Sequence, residues 1–303
     1  MIRSVWVATV LVIAAGAGHA QGPGFRPVTD AMLRDPSPND WLMFSRTYDA
    51  QRFSPLDQIS RGNVKRLGLA WSRGLADGTT ETIPTVYNGV MYLTVPGSNV
   101  QALDAATGDL LWEYNRTYEN EGVGPGGRSK TLSIYEDMVY FTAPDATIVA
   151  LDARTGRVRW ETKADSRGHT AGSIVVEGQV ISGGTCAGGL RTNCYIAAHD
   201  ARTGALAWKF YTAQAPDEPP GFDTWGGAPI ETRRASTWGV PGTYDPETRL
   251  IYWGVANPTP NTRAARHGGN PAAIGFTSPA DLFSNSTVAL DPRTGKLAWY
   301  YQH

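Results

Sequence analysis

The segment ALDAATGDLLW, Ala102 to Trp112, decides the fold because it returns. It recurs as ALDARTGRVRW (Ala150 to Trp160), AHDARTGALAW (Ala198 to Trp208) and ALDPRTGKLAW (Ala289 to Trp299), with a degenerate copy, TYDPETRLIYW, from Thr243 to Trp253. The aspartates of the five copies, Asp104, Asp152, Asp200, Asp245 and Asp291, are spaced by 48, 48, 45 and 46 residues. A period of that size marks propeller blades or another stacked array, in which each unit buries its apolar face only against its neighbours. Within a copy an alternating strand ends at Ala-Leu-Asp, the Asp caps a turn by accepting from backbone amides, and Gly supplies the positive φ of that turn. A second strand then leads to the Trp, whose large apolar area is expected to pack between neighbouring sheets. The runs SIYEDMVYFTA (Ser133 to Ala143) and GSIVVEGQVISGG (Gly172 to Gly184) alternate with period two and carry β-branched and aromatic residues, which excludes a helical repeat. The reading is an all-β β-propeller with the five copies on consecutive blades and their turns on one face.

Composition agrees. Of 303 residues, 41% are hydrophobic and 18% charged, with 34 Gly and 10 Trp, enough to bury a large core. Lys plus Arg (27) against Asp plus Glu (28) leaves a net charge of −1, so no overall positive field exists to hold nucleic acid or anionic lipid. Residues 1–20 carry Arg3, an apolar run from Val5 to Ala17 and a small-x-small ending at Gly18-His19-Ala20, the pattern of a signal peptide cleaved near Ala20. About 13 apolar residues fall short of the ~20 of a spanning helix, and no later stretch is long and apolar enough to span. The remaining domain, 21–303, holds about six units of the repeat and stops directly after a strand at His303, which suggests a propeller truncated after five to six blades. Cys186 and Cys194 are the two cysteines, and in an exported protein an even pair this close favours a disulfide. Two thiolates with no His between them supply only half of a zinc shell.

The segment DWLMFSRTYDAQRFSPLDQISRGNVKRLGLAW, Asp40 to Trp71, resembles the N-terminal signature of the pyrroloquinoline-quinone (PQQ)-dependent alcohol dehydrogenases. Asp40, Trp41, Arg46, Phe53, Ser54, Leu56, Ile59, Asn63 and Val64 fall in register, while Ser45 stands where the family usually has Gly. The resemblance runs from about residue 39 to the last residue. It implies an eight-bladed propeller with the quinone in its central channel, of which this chain carries the N-terminal part.

The resemblance also implies site residues. Glu81, in TTETIPTVYNGVMY, stands where the family places a carboxylate against the quinone. Lys130, or Arg128 as the alternative, occupies the region of a family Arg that pairs with the quinone oxygens, a point charge in place of a planar fork. Thr170 and Thr185 match hydroxyls that bond the quinone carboxylates. Trp238 resembles the flat floor under the quinone, with Trp225 as substitute because the gap from Trp238 to the next marker is one residue longer than the family pattern. Asn257, in WGVANPTPN, matches an Asn whose amide oxygen binds calcium, a hard oxygen ligand for a hard cation. The family's carboxylate ligand to the metal lies in a turn that here reads GTCAGG (Gly184 to Gly189), without an acid, so weaker calcium binding is expected. Family members with vicinal cysteines place that disulfide in an earlier blade, so a Cys186–Cys194 bond would be a different device.

The implied activity is oxidation of a small alcohol in the periplasm, with hydride passing to the quinone, a bound calcium or lanthanide acting as Lewis acid, and electrons leaving to a cytochrome c. The family's catalytic Asp is expected after His303, so no catalytic base is assigned within the chain. Two other readings compete. One is a non-catalytic exported propeller that binds partner proteins by its rim or an edge strand. The other is a sugar or polyol dehydrogenase of the wider quinoprotein group.

Overall fold

In each full copy of the repeat, the strand ending in Ala-Leu-Asp (Ala-His-Asp in the third copy) is the third of a four-stranded antiparallel sheet. The computed structural model describes residues 24–97, 99–118, 129–164, 168–186, 190–266 and 279–303; the expected signal peptide, Arg128 and part of the GTCAGG turn lie outside them. The first sheet comprises β1 (Thr85–Tyr87), β2 (Val90–Val95), β3 (Asn99–Asp104) and β4 (Leu110–Tyr114). The second comprises β5 (Ser133–Tyr135), β6 (Met138–Thr142), β7 (Thr147–Asp152) and β8 (Val158–Lys163). The third is β9 (Ser173–Val176), β10 (Gln179–Gly183), β11 (Tyr195–Asp200) and β12 (Leu206–Tyr211). A two-stranded ladder, β13 (Arg234–Ala235) with β16 (Pro258–Thr259), precedes and interrupts the fourth sheet, β14 (Thr243–Asp245), β15 (Leu250–Val255), β17 (Ser286–Leu290) and β18 (Leu297–Gln302). Among the described residues, two short α-helices, α1 (Asp30–Arg34) and α2 (Arg263–Arg266), and three single-turn 3-10 helices lie outside the sheets.

Burial follows from strand position. β7, TIVALD, is buried at every residue because neighbouring sheets cover both its faces, so its apolar run need not alternate. The outermost strand β8 is exposed or half-exposed throughout. The first strands line up innermost: the backbone at Ile83, before β1, bridges Thr131 before β5, and the Ser133 and Ser173 hydroxyls of β5 and β9 lie 2.8 Å apart.

One device joins the sheets. Each third-to-fourth-strand pairing skips one residue just before the Trp, so that Trp112, Trp160, Trp208 and Trp299 stand opposite Ala102, Ala150, Ala198 and Ala289. Such a bulge re-aims the side chain that follows it. The indole of one sheet then lies against the turn glycine of the next, Trp112 on Gly156, Trp160 on Gly204 and Trp208 on Gly295, and Trp71, in the segment ahead of β1, lies in the same way on Gly108 of the first sheet. Each indole N–H also donates to the carbonyl of the residue after the marker Asp: Ala105 (3.2 Å), Ala153 (3.0 Å), Ala201 (3.1 Å) and Pro292 (2.8 Å). Trp112 and Trp208 are thereby 9% and 7% exposed, whereas Trp299 on the last sheet is 45% exposed.

The marker carboxylates work as expected from their sequence. Asp152 Oδ1 accepts from the backbone of Arg154 and Thr155, and Asp200 and Asp291 repeat the pattern at 2.9 to 3.0 Å. Burial would raise these three carboxyls, but the hydroxyl and amide donors of the turn outweigh it and hold them below the usual range.

The five copies do not occupy five consecutive blades. Asp245 caps the β14–β15 turn, the first hairpin of the sheet whose third strand leads into Asp291, so the five markers belong to four sheets. At the position of the turn glycine this copy has Arg249, itself at φ 56°. A side chain there leaves no flat backbone for a neighbour's indole. The rest of the chain length is taken up by the N-terminal segment and by the insertions around β13 and β16. The turns nevertheless share one end of the sheets: Glu136 of the β5–β6 turn pairs with Arg202 of the next sheet, and Glu177 of the β9–β10 turn pairs with Arg249 (2.8 Å) and Arg293 (3.0 Å).

The segment 24–50 crosses the inner strands at this end. Val28 bridges Glu136, Trp41 bridges Val86, Tyr48 donates to the Val175 carbonyl at 2.5 Å, and Thr243 donates to the Tyr48 carbonyl. It thus ties four sheets together. Ser45, the departure from the family Gly, is buried with its hydroxyl donating to Thr47 O at 2.8 Å.

Candidate functional site

Every first strand is entered from the end opposite the marker turns, and there the predicted side chains meet. Glu81, Lys130, Thr170 and Trp238 stand three to five residues before β1, β5, β9 and β14. Thr185 and Asn257 each follow the second strand of their sheet, β10 and β15, by two residues. Sequence-distant residues are thereby brought to equivalent positions around one axis.

Lys130 is the hub. Its ammonium pairs with Glu81 at 3.5 Å, donates to the carbonyls of Trp238 (3.0 Å) and Gly239 (3.4 Å), and lies 5.2 Å from the Trp238 ring centre, within cation–π range. The Thr170 hydroxyl donates to the same Trp238 carbonyl at 3.2 Å and lies 3.3 Å from the Thr185 hydroxyl. Backbone bonds fix the spacing: Ile83 N–H donates to Lys130 O (2.8 Å), Lys130 N–H to Thr170 O (3.2 Å) and Thr185 N–H to Gly168 O (2.8 Å). Five of the six predicted residues therefore form one network drawn from four sheets.

Trp238 is 52% exposed although its neighbours Ser236 and Thr237 are buried, so a large aromatic face is presented where the backbone is otherwise covered. Trp225 does not serve as the alternative floor: it is buried in a small separate cluster with Ala213 and Ala228, its indole N–H donating to Leu282 O. Asn257 uses Nδ2 to donate to Asn261 Oδ1 (3.0 Å) and Pro258 O (3.3 Å), which orients the amide and leaves Oδ1 as its acceptor atom. Among the described residues no group of three or more His, Cys, Asp or Glu side chains could hold a metal.

The cysteines are bonded, with Cα atoms 4.9 Å apart, inside the range expected of a disulfide. The bond starts at the residue after Thr185 and so anchors one end of the site. Sequence reasoning missed Thr131 and Thr237, whose hydroxyls donate to Ala171 O (3.1 Å) and Gly184 O (3.2 Å) and pack where a Cβ on Gly172 or Gly183 would fall. Each is next to a predicted residue, and the glycine opposite was the available signal.

A cation, two adjacent hydroxyls and an open indole face suit a flat polyanionic quinone. The oxygen of Asn257 suits a hard cation, which would need further oxygen ligands.

The family model described as glucose/ethanol/alcohol dehydrogenase, beta-propeller domain, matches residues 164–303, and that described as outer membrane protein assembly factor BamB matches residues 68–220. The chain is 37% identical over 324 residues to the quinohemoprotein alcohol dehydrogenase ADH-IIG of Pseudomonas putida, covering 99% of this chain and 43% of that protein. It is 36% identical to the dehydrogenase subunit of a quinone alcohol dehydrogenase of Gluconobacter oxydans, covering 88% and 38%. The solved structure of ADHIIG from Pseudomonas putida superposes with a TM-score of 0.79 at 34% identity over 92% of this chain and 43% of that one. A europium-containing methanol dehydrogenase superposes at 0.72 with 29% identity, covering 88% and 49%. The chain thus spans less than half of the length of these relatives. Repeat, sheet order and sequence identity over nearly the whole chain agree: it belongs to the PQQ-dependent alcohol dehydrogenase family and carries the N-terminal part of that family's propeller.

Proposed function

We propose that the chain is the N-terminal part of an exported, periplasmic enzyme that oxidises a small alcohol to an aldehyde with PQQ. The observation that carries this reading is the convergence of Glu81, Lys130, Thr170, Thr185 and Trp238 on one network although they are spread over four sheets. PQQ, when bound, supplies the two-electron acceptor that no side chain provides. Lys130 offers positive charge to its oxygens, Thr170 and Thr185 offer hydroxyls to its carboxylates, and Trp238 offers a stacking face. Glu81 keeps the Lys130 ammonium oriented. Asn257 contributes one oxygen to calcium or a lanthanide, the latter supported by the europium-containing relative. The quinohemoprotein relatives join quinone and haem, which supports a cytochrome c as electron acceptor. Among the described residues no helix is long and apolar enough to cross a membrane.

The match of residues 68–220 to the BamB model favours the second reading, a scaffold for partner proteins. Quinone binding separates the two. Titrating the chain with PQQ and calcium is expected to quench tryptophan fluorescence saturably. Lys130→Ala and Trp238→Ala are each expected to weaken binding about tenfold or more, since a charge-assisted contact is worth ~1.5–3 kcal/mol and an aromatic stacking contact ~1–3 kcal/mol. A folded chain that shows no saturable quench favours the scaffold.

A further inference from the structure

We infer that the chain carries a second ligand site, for a small organic carboxylate, in a cavity beside the β13–β16 ladder. The cavity has a volume of about 300 Å³, and no residue of the Lys130 network lines it. Trp225, Pro229 and Ala265 form apolar parts of its wall, and Arg233, Arg234 and Arg266 also line it.

The arginines differ in how fully they are engaged. Arg233 donates to the carbonyls of Ala228 (2.8 and 3.0 Å) and Gln214 (3.0 Å) and pairs with Asp223 at 2.9 Å, so it frames the cavity. Arg266 donates through Nη1 to the carbonyls of Pro260 (2.7 Å) and Asn261 (3.0 Å) and through Nη2 to Asp281 (2.8 Å). Its side chain is only 7% exposed, yet its Nε–H meets no acceptor among the described residues. A buried donor left without a partner costs ~1–3 kcal/mol, a cost that a bound acceptor relieves. A carboxylate oxygen is the natural acceptor for a guanidinium N–H, and the hydrocarbon part of the ligand would lie against Trp225, Pro229 and Ala265. Inorganic anions satisfy only the first requirement.

Sodium benzoate and its neutral isostere benzamide test this by isothermal titration of the whole chain. Benzoate is expected to bind saturably and benzamide not to bind. Arg266→Gln, which removes the guanidinium, and Ala265→Trp, which fills the cavity while leaving the ion pair intact, are each expected to weaken benzoate binding at least tenfold. If Arg266→Gln does not fold, Ala265→Trp decides alone. Absence of benzoate binding to the folded chain, equal binding of benzamide, unchanged affinity in a folded Ala265→Trp variant, or displacement by phosphate at equal concentration would each overturn the site.

Discussion

Gly156→Ala is expected to lower stability by about 3–5 kcal/mol, whereas Gly89→Ala lowers it by only about 1–2 kcal/mol. Both glycines have positive φ, 68° and 78°, so a side chain meets the same backbone cost of ~1–2 kcal/mol at each. They differ in what the new methyl group meets. At Gly89 nothing lies within 4 Å, while at Gly156 the Trp112 ring atoms stand at 2.5, 2.8 and 3.1 Å. The indole must move, losing its bond to Ala153 O and part of the burial that joins the first two sheets. Urea unfolding of the two variants checks this. Equal losses would show that the glycine serves the turn alone and that the indole contributes little to sheet docking.

Stability is expected to fall by about 3 kcal/mol for each of two histidines between neutral pH and pH 4. His169 and His199 are buried, and burial pushes their imidazoles down to about 3 and about 4. His199 adds repulsion to His169, as does Lys209 to His199. Among the described residues neither ring nitrogen of His169 has a hydrogen-bond partner, so nothing offsets a proton placed there. The sign follows from the depressed values. In the unfolded chain the imidazole takes up its proton near pH 6.5, in the folded chain only near pH 3–4, so stability is full above the first value and is lost as pH falls towards the second. His169→Leu is expected to remove about half of this loss in melts run from pH 7 to pH 4. An unchanged pH profile would assign the acid sensitivity to the carboxylates, such as Asp152, Asp200 and Asp291, whose folded values lie below the usual range and whose contribution is lost only at lower pH. Since His169 precedes Thr170, the same titration is expected to disturb the candidate site.

The candidate site was legible only through its resemblance to a family. A lone Glu81, Lys130 or Thr170 before a strand carries no local signal, and the network exists because each precedes the innermost strand of a different sheet. The choice between Trp238 and Trp225 was also beyond local reading. Both follow a Thr and precede a Gly, and only packing buries one and leaves the other open. The cavity at Arg266 had no sequence signal, since it depends on α2 being brought against the segment from Trp225 to Arg234.

What the sequence determined by itself is the repeated unit. The alternating strands, the Asp that caps its own turn, the Gly at positive φ and the Trp after a bulge all act within about 11 residues, so the string ALDAATGDLLW contains their causes. The tertiary structure decided which hairpin each copy became. Asp-x-x-Thr caps a turn equally well between first and second strands or between third and fourth, so TYDPETRLIYW looked like a fifth blade. Arg249 at the glycine position was the one local sign that it was not. Tertiary structure also decided where the site lies, because convergence on an axis depends on how sheets pack. That packing is set by indoles meeting glycines 44 or more residues away, except where Trp71 reaches Gly108 across 37. Turn chemistry is local and can be read from a short string, whereas the meeting of side chains from separate sheets is a sum over contacts that no single segment contains.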